Sequence, residues 1–224
     1  MSSRIVTVKD NILAANIKEA EIIRELLNRH NTGMINIMSS PGSGKTSLIL
    51  QSIHRLRDRY RIAVIEGDIA SSMDTDKVTR LNIPAIQINT SGGCHLDARM
   101  TRKALDALDL DRIDLIFIEN VGNLVCTADF DLGAHKNVVI LSVPEGDDKP
   151  HKYPAMFIEA DVVLVNKTDV LPYFDFKLGE FPEIISGLNP SARVFPVSAK
   201  TQDGLESWFS WIEATFPGTS YEDS

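Results

Sequence analysis

Residues 39–46 read Ser-Ser-Pro-Gly-Ser-Gly-Lys-Thr, and residues 166–169 read Asn-Lys-Thr-Asp. The first stretch sets Gly42, Ser43 and Gly44 ahead of Lys45, Thr46 and Ser47, between an apolar run at 34–38 and an amphipathic stretch from 45 to about 59. A glycine-rich turn joining strand to helix aims several backbone N–H groups at one point, at the positive end of the helix dipole. Phosphate suits that point. Lys45 then reaches the β- and γ-phosphates, and the Thr46 hydroxyl sits on Mg²⁺. Ser39 stands where the usual loop pattern begins with glycine, so the match is incomplete. An ordinary helix start with Gly before Lys-Thr is the competing reading, and the strand–loop–helix context argues against it.

The second stretch selects the base. A carboxylate such as Asp169 can accept both N1–H and N2–H₂ of guanine, a donor pair that adenine lacks; Asn166 can hydrogen-bond the base, and the Lys167 stem can cover its face. Asn-Lys-x-Asp alone is a weak pattern. It gains weight here because it follows the apolar run 161–165, downstream of a phosphate loop. Ser198, Ala199 and Lys200, after the apolar segment 193–197, would line the other side of the base. Ser-Ala-Lys by itself is more often a solvated helix start.

A second chemistry comes from two cysteines and a histidine. Cys94 and His95 follow Gly92-Gly93 directly before an expected helix, and Cys126 follows the expected strand 113–118 by a short loop. Both loops follow strands, which puts them at one edge of a sheet. Thiolate and imidazole are ligands for Zn²⁺ or Ni²⁺. Two alternatives stand beside this: isolated cysteines are usually small apolar fillers, and a histidine at a helix start is often a cap or a surface residue. Three ligands also leave a tetrahedral ion one short, so water or a second copy of the chain would complete it.

The elements that must carry these groups alternate along the chain. Expected strands are 34–38, 61–65, 85–88, 113–118, 137–143, 162–165 and 193–197. Expected helices are about 10–31, 45–59, 74–82, 96–109, about 180–188 and 203–215, with apolar positions Ile12, Leu13, Ala20, Ile23, Leu26 and Leu27 marking the first. The strands are Val/Ile/Leu-rich without strict alternation, as in a parallel sheet buried on both faces. Repeated units of this kind predict an α/β fold with a doubly wound, mostly parallel sheet of the P-loop NTPase kind, ligands lying at the carboxyl ends of the strands. Residues 170–181 read as a connecting loop and 218–224 as a short disordered acidic tail. No linker divides the chain, so one GTPase domain over 1–224 is expected.

Composition sets outer limits. The chain has 224 residues, 43% hydrophobic and 24% charged, with a net charge of −8, so neither nucleic acid nor an anionic membrane is favoured as a partner. No apolar run approaches the ~20 residues that span a bilayer, and the first residues lack the apolar core of a secretion signal. Two cysteines make no disulfide framework, and a cytoplasmic location is the expectation.

Taken together, 39–46, Glu66-Gly-Asp68, Gly93-Cys-His-Leu-Asp97, the run Glu119 to Cys126, the run Pro144 to Pro154 and 166–169 resemble the HypB family, nickel-insertion GTPases of nickel–iron hydrogenase maturation. The resemblance covers about 10–215. It implies a SIMIBI-class P-loop G domain, a nucleotide-dependent homodimer and slow hydrolysis of GTP. It also implies nickel or zinc bound at the subunit interface through Cys94, His95 and Cys126. The partners it implies are the nickel metallochaperone HypA and the hydrogenase large-subunit precursor. Two features depart from the family. The Cys-rich and His-rich nickel motifs that many members carry are missing, with only five histidines scattered along the chain, so only the G-domain metal site is expected. Thr127 stands where proline usually follows the cysteine, which should alter loop stiffness rather than chemistry.

Within that frame Asp68, ending the second strand, is the first carboxylate expected near Mg²⁺ or the attacking water. Asp74 is another, unless it simply caps the helix 74–82. Glu119 replaces the aspartate that commonly ends the second acidic strand and can reach the Mg²⁺ shell, while the Gly122 N–H can sense the γ-phosphate. Lys149 and Lys152, in the loop 145–153, are candidates to donate a cation across the dimer, Lys152 the stronger, and either could equally be a solvated lysine. Rival readings are a urease-type maturation GTPase, which would use a Cys-Pro-His motif absent here, a small-molecule kinase, and a GTP-binding metal-storage protein without turnover.

Overall fold

The computed structural model describes residues 8–67, 81–90 and 92–218. Seven parallel strands form one sheet in the order β3-β2-β4-β1-β5-β6-β7: β1 (Gly33–Ser39), β2 (Ile62–Glu66), β3 (Ala85–Gln87), β4 (Leu115–Glu119), β5 (Lys136–Ser142), β6 (Val162–Asn166) and β7 (Arg193–Pro196). The helices are α1 (Val8–Arg29), α2 (Lys45–Leu56), α3 (Ala98–Leu105), α4 (Lys149–Lys152), α5 (Pro154–Ile158), α6 (Phe181–Leu188) and α7 (Leu205–Thr215). All seven expected strands form, with ends shifted by a residue or two. Every residue of β1, β2, β4 and β6 is buried, which explains why their sequences are apolar runs rather than alternating ones.

The pleat sends alternate residues to opposite layers. Ile35 and Ile37 of β1, Val64, Phe117, Ile140 and Leu164 pack against Leu48, Ile49 and Ile53 of α2 and Trp208 and Ile212 of α7. On the other face Met34, Ala63, Ile65, Ile116 and Ile118 meet Ala20, Ile23 and Leu27 of α1 and Leu105 of α3. Further along that face Met38, Val139, Leu141 and Val165 meet Phe157 of α5 and Phe181 and Ile185 of α6. In the buried α2–α7 layer the Trp208 indole N–H donates to the Ser52 hydroxyl at 2.9 Å, and that hydroxyl donates to the Leu48 carbonyl at 2.8 Å.

The connection from β1 runs to β2 on one side, while that from β4 crosses past β1 to β5 on the other, and at this switch of direction a crevice opens at the carboxyl end of β1. The Ser39–Thr46 loop leaves from that point.

Several local expectations change. The segment 145–153 is not an open loop: a turn at Val143–Glu145 is followed by α4 and α5, so Lys149 and Lys152 sit on a short helix. Each of these helices carries a proline in its first turn, where no N–H is needed and φ is already suitable. The supposed loop 170–181 begins instead inside a tight 3-10 turn, Thr168–Tyr173. The expected helix 96–109 is shorter, ending at Leu105 before a second such turn at Leu110–Arg112. In α1, Ile12 is 54% exposed whereas Asn16 is 6% exposed, so a polar residue occupies the buried stripe. Asp68, Asp74 and most of the expected helix 74–82, like the tail from 219 onward, lie outside the described residues.

Candidate functional site

The loop that leaves β1 turns through two left-handed glycines, Gly42 (φ +76°) and Gly44 (φ +105°). A Cβ on Gly44 would overlap the Asn166 amide, so that position needs glycine for conformation and for space. The first turn of α2 then starts at Lys45 with no side chain capping it. Its early N–H groups face the crevice as an anion site requires. Lys45 is 4% exposed, and its ammonium lies 3.3 Å from the Ser39 hydroxyl, which itself donates to the Ser40 carbonyl at 2.7 Å. The serine that replaces the first loop glycine thus holds the lysine head. The Ser43 hydroxyl closes the loop on the Ser40 carbonyl at 2.8 Å.

Thr46 and Glu119 come together as the sequence suggests, the threonine hydroxyl donating to Glu119 Oε1 at 2.8 Å. These two oxygen groups beside the phosphate loop fit the oxygen preference of Mg²⁺. Gly122 packs on the same loop. A Cβ there would lie 3.0 Å from Pro41 Cα, a tight contact that glycine avoids.

The base-side residues converge as well. Asn166 is 2% exposed and engages both ends of its amide with protein: Nδ2 donates to the Ser43 carbonyl at 2.8 Å, and Oδ1 accepts the Ala199 N–H at 3.1 Å. It braces the phosphate loop against the Ser198–Lys200 loop, and its Nδ2 carries a second hydrogen beyond the one given to Ser43. Lys167, in the left-handed region at φ +63°, sends its ammonium to the Gly42 carbonyl at 2.6 Å. The Ser198 hydroxyl donates to Asp169 Oδ1 at 2.7 Å, and the Thr201 N–H donates to that same hydroxyl at 3.1 Å, fixing the carboxylate. The exposed Lys200 ammonium lies 3.9 Å from Asp169 Oδ2.

Cys94, His95 and Cys126 form one cluster, their ligand atoms all within 4.8 Å of one another. Cys94 Sγ lies 3.5 Å from His95 Nδ1. Both cysteines are free thiols, Cys94 exposed and Cys126 half-buried, so Cys94 is no apolar filler. Neither is His95 the helix cap, because Asp97 Oδ1 accepts the Met100 N–H of α3 at 2.7 Å. A hydrogen bond to Cys94, then burial and the adjacent Cys94 charge, push the Cys126 thiol up. Two sulfurs and an imidazole nitrogen at this spacing fit a soft or borderline divalent ion at ordinary bond lengths.

The residues that support the cluster had no role expected from sequence. Asn123 Oδ1 accepts the N–H groups of Val125 (2.7 Å) and Cys126 (3.1 Å), a turn that orients Cys126. Phe130 stacks on His95 with ring centroids 3.8 Å apart. Asn120, fully buried, accepts from the Leu96 N–H at 3.4 Å and donates to Asn36 of β1 at 3.1 Å. Asn36 in turn donates to Asn137 of β5 at 3.0 Å. The available signal was an asparagine inside an otherwise apolar run, at 36 in β1 and again at 16 in α1.

By contrast Lys149 and Lys152 reach none of these groups. Both turn to Asp148, Lys152 in a close ion pair and Lys149 at 4.0 Å; Lys152 hydrogen-bonds Asp148 and holds that carboxyl below its ordinary range.

A parallel sheet with a phosphate-type loop at the end of its central strand defines a P-loop nucleotide-binding protein. The family model described as the CobW/HypB/UreG nucleotide-binding domain matches residues 33–196. The hydrogenase maturation factor HypB of Rhizobium leguminosarum bv. viciae is 46% identical over 212 residues, covering 95% of this chain and 71% of that protein. Among solved structures, HypB from Archaeoglobus fulgidus matches with a TM-score of 0.86 at 38% identity, covering 91% of this chain and 99% of the other. HypB from Helicobacter pylori in complex with nickel matches with a TM-score of 0.85 at 37% identity, covering 93% and 99%. The chain belongs to the HypB family of hydrogenase maturation factors.

Proposed function

We propose that this chain is a GTPase that hydrolyses GTP to GDP and phosphate and uses the nucleotide state to hold and release nickel for hydrogenase maturation. One observation carries the reading. A single segment, 119–126, starts at a carboxylate bonded to the phosphate-loop threonine and ends at a thiol of the metal cluster. The nickel-bound relative is the solved structure that supports nickel as cargo.

In this reading Gly42, Ser43, Gly44, Lys45, Thr46 and Ser47 cradle the phosphates, with Lys45 as the main clamp on the γ-phosphate. Asp169 reads guanine, while Asn166, Lys167, Ser198, Ala199 and Lys200 shape the base pocket. Mg²⁺, when bound, neutralises phosphate charge. Thr46 and Glu119 would hold it or its waters, with Asp68 and Asp74 as further carboxylate candidates. Water attacks the γ-phosphorus, the bond to the bridging oxygen breaks, and GDP leaves with the electron pair. Lys45 stabilises the charge on the transferred group, and the Gly122 N–H senses its presence. Lys149 or Lys152 would supply a second cation across a homodimer after leaving Asp148, a step that costs little because that pair is exposed.

Nickel, or zinc in its place, is bound by Cys94, His95 and Cys126, and a second copy of the chain would complete its coordination. HypA and the hydrogenase large-subunit precursor are the expected donor and client, and a single cytoplasmic GTPase domain over 1–224 is the expected form. Among the described residues no helix is long and apolar enough to cross a membrane.

The test is a Ni²⁺ titration of protein loaded with GDP and, in parallel, with a non-hydrolysable GTP analogue. Affinity or ions per dimer should differ between the two states, and Cys126→Ala should weaken nickel binding and remove the difference. Linkage requires nickel to change nucleotide affinity by the same factor. Equal nickel binding in both states refutes coupled delivery.

A further inference from the structure

The two loops that carry the metal ligands are tied to each other by a residue on neither of them. Asn16 of α1 is 6% exposed. Its Nδ2 donates to the Asp131 carbonyl at 2.8 Å, and its Oδ1 accepts the Ala98 N–H at 2.8 Å. Asp131 immediately follows Phe130, and Ala98 opens α3 just after the Cys94–His95 turn. Between these anchors His95 and Phe130 stack face to face, 13° from parallel.

The rest of α1 holds the same segment. Arg24 pairs with the Asp131 carboxylate at 2.9 Å, and Asp131 Oδ1 accepts the Gly133 N–H at 2.9 Å. Gly133 itself, at φ +78°, runs so close to α1 that a Cβ would lie 2.6 Å from Ile23 Cβ. On the sheet side Asn120 also links the two loops, accepting the Leu96 N–H at 3.4 Å; Asn16 links them from α1. Asn16 is a side chain that hydrogen-bonds to both.

We infer that Asn16 is a positioning residue for the metal cluster: its amide sets the separation of the Cys94–His95 loop from the Cys126–Asp131 segment, and so the affinity and ligand count of the bound ion. The inference rests on the metal reading above. The amide suits this task because it offers a donor and an acceptor on one rigid plane, and the two backbone groups it meets are one carbonyl and one N–H. An aspartate in its place would keep the bond to the Ala98 N–H and set a carboxylate oxygen against the Asp131 carbonyl. An alanine would remove both bonds.

The experiment compares wild type, Asn16→Ala, Asn16→Asp and a control on the same helix, Leu27→Val, which disturbs the buried α1 face about three helical turns from Asn16. Each is titrated with Ni²⁺ and with Co²⁺ alone. The visible cobalt spectrum reports thiolate ligands by their charge-transfer band, and GDP affinity and thermal midpoint are measured alongside. Groups that orient ligands typically contribute about 10-fold to 100-fold in metal affinity, so Asn16→Ala should weaken both ions by that factor and lower the thiolate band per bound cobalt. Asn16→Asp, with a buried carboxylate facing the Asp131 carbonyl, should lose at least as much, and GDP affinity should hold in all four. Unchanged metal affinity and spectrum in Asn16→Ala overturn the inference while leaving the metal site standing. An equal loss in Leu27→Val overturns it too, by making the effect one of general destabilisation. A wild type that binds neither ion removes the metal reading and the inference together.

Discussion

Asp169→Asn tests whether the pocket reads guanine through one carboxylate. The side chain is mostly buried, and one oxygen is held by the Ser198 hydroxyl at 2.7 Å, leaving the other lone pairs for a base. A carboxylate accepts both guanine donors, N1–H and N2–H₂. An amide keeps one acceptor and presents a donor to the other guanine N–H. One charge-assisted bond, about 1.5–3 kcal/mol, is lost, and a clashing desolvated donor pair adds about 1–3 kcal/mol. Together these give roughly 3–6 kcal/mol, or about 10²–10⁴ in affinity at about 1.4 kcal/mol per tenfold. The amide oxygen can still accept from Ser198, so the fold should be spared. Xanthine carries a carbonyl where guanine carries its amino group, so the variant should gain affinity for xanthosine diphosphate as it loses GDP. Fluorescent-nucleotide titrations with both diphosphates, with the thermal midpoint as a control, make the measurement. A variant that binds GDP within about threefold of wild type, well under one charge-assisted bond, refutes base reading by Asp169.

Two further outcomes follow from backbone and burial. Gly44→Ala forces a left-handed residue to carry a Cβ that meets the Asn166 amide; the conformation alone costs about 1–2 kcal/mol, so urea stability should fall by at least that much and GDP affinity with it. An unchanged urea midpoint and affinity would falsify the claim that this turn requires glycine. His135 takes the Met34 N–H on Nδ1 (3.2 Å) and faces Asn28 Oδ1 with Nε2 (3.1 Å), a neutral ring whose pKa is lowered by burial and by the Arg24 and Lys136 charges. Because the folded value lies below the ordinary 6.5, the unfolded chain takes up the proton first. Stability from this group is complete above the ordinary 6.5 and is lost as pH falls from there through the lower folded value. Replacing His135 with Gln should flatten the slope of urea stability against pH in that window; an unchanged slope assigns the titration elsewhere.

The sheet was legible because its inner strands, buried on both faces, leave continuous Val/Ile/Leu runs; the edge strands β3 and β7 are shorter and partly exposed. The phosphate loop and the Asp169 loop were legible for a related reason: their residue types are dictated by backbone conformation and ligand chemistry at fixed offsets from a strand end. Short helices were not. Residues 145–153 read as a loop, yet Pro150 and Pro154 each sit in the first turn of a short helix, where proline is favoured. The asparagines were harder still. A lone polar residue in an apolar run has meaning only once its partner is known, and the partners of Asn16, Asn36 and Asn120 lie 82, 101 and 84 positions away. Asn166 shows the same limit from the other side: the motif marked the residue, and only the fold showed that its amide braces two loops.

Coupling between the two sites then becomes a question of how little energy must be moved. Residues 119–126 are pinned at four points: Glu119 on the Thr46 hydroxyl, Asn120 on β1 and on the Leu96 N–H, Gly122 against Pro41, and Asn123 on the Cys126 N–H. Slack is therefore short, and displacement of Glu119 by an arriving ion and γ-phosphate must be taken up within a few residues of the thiol. It reaches Cys94 and His95 as well, through Asn120 and Leu96. A tenfold change in nickel affinity requires the nucleotide states to differ by about 1.4 kcal/mol in how they favour the closed cluster. A hydrogen bond to a charged group contributes about 1.5–3 kcal/mol. In the proposed coupling, exchanging the Thr46–Glu119 bond is thus enough in magnitude to switch the metal site.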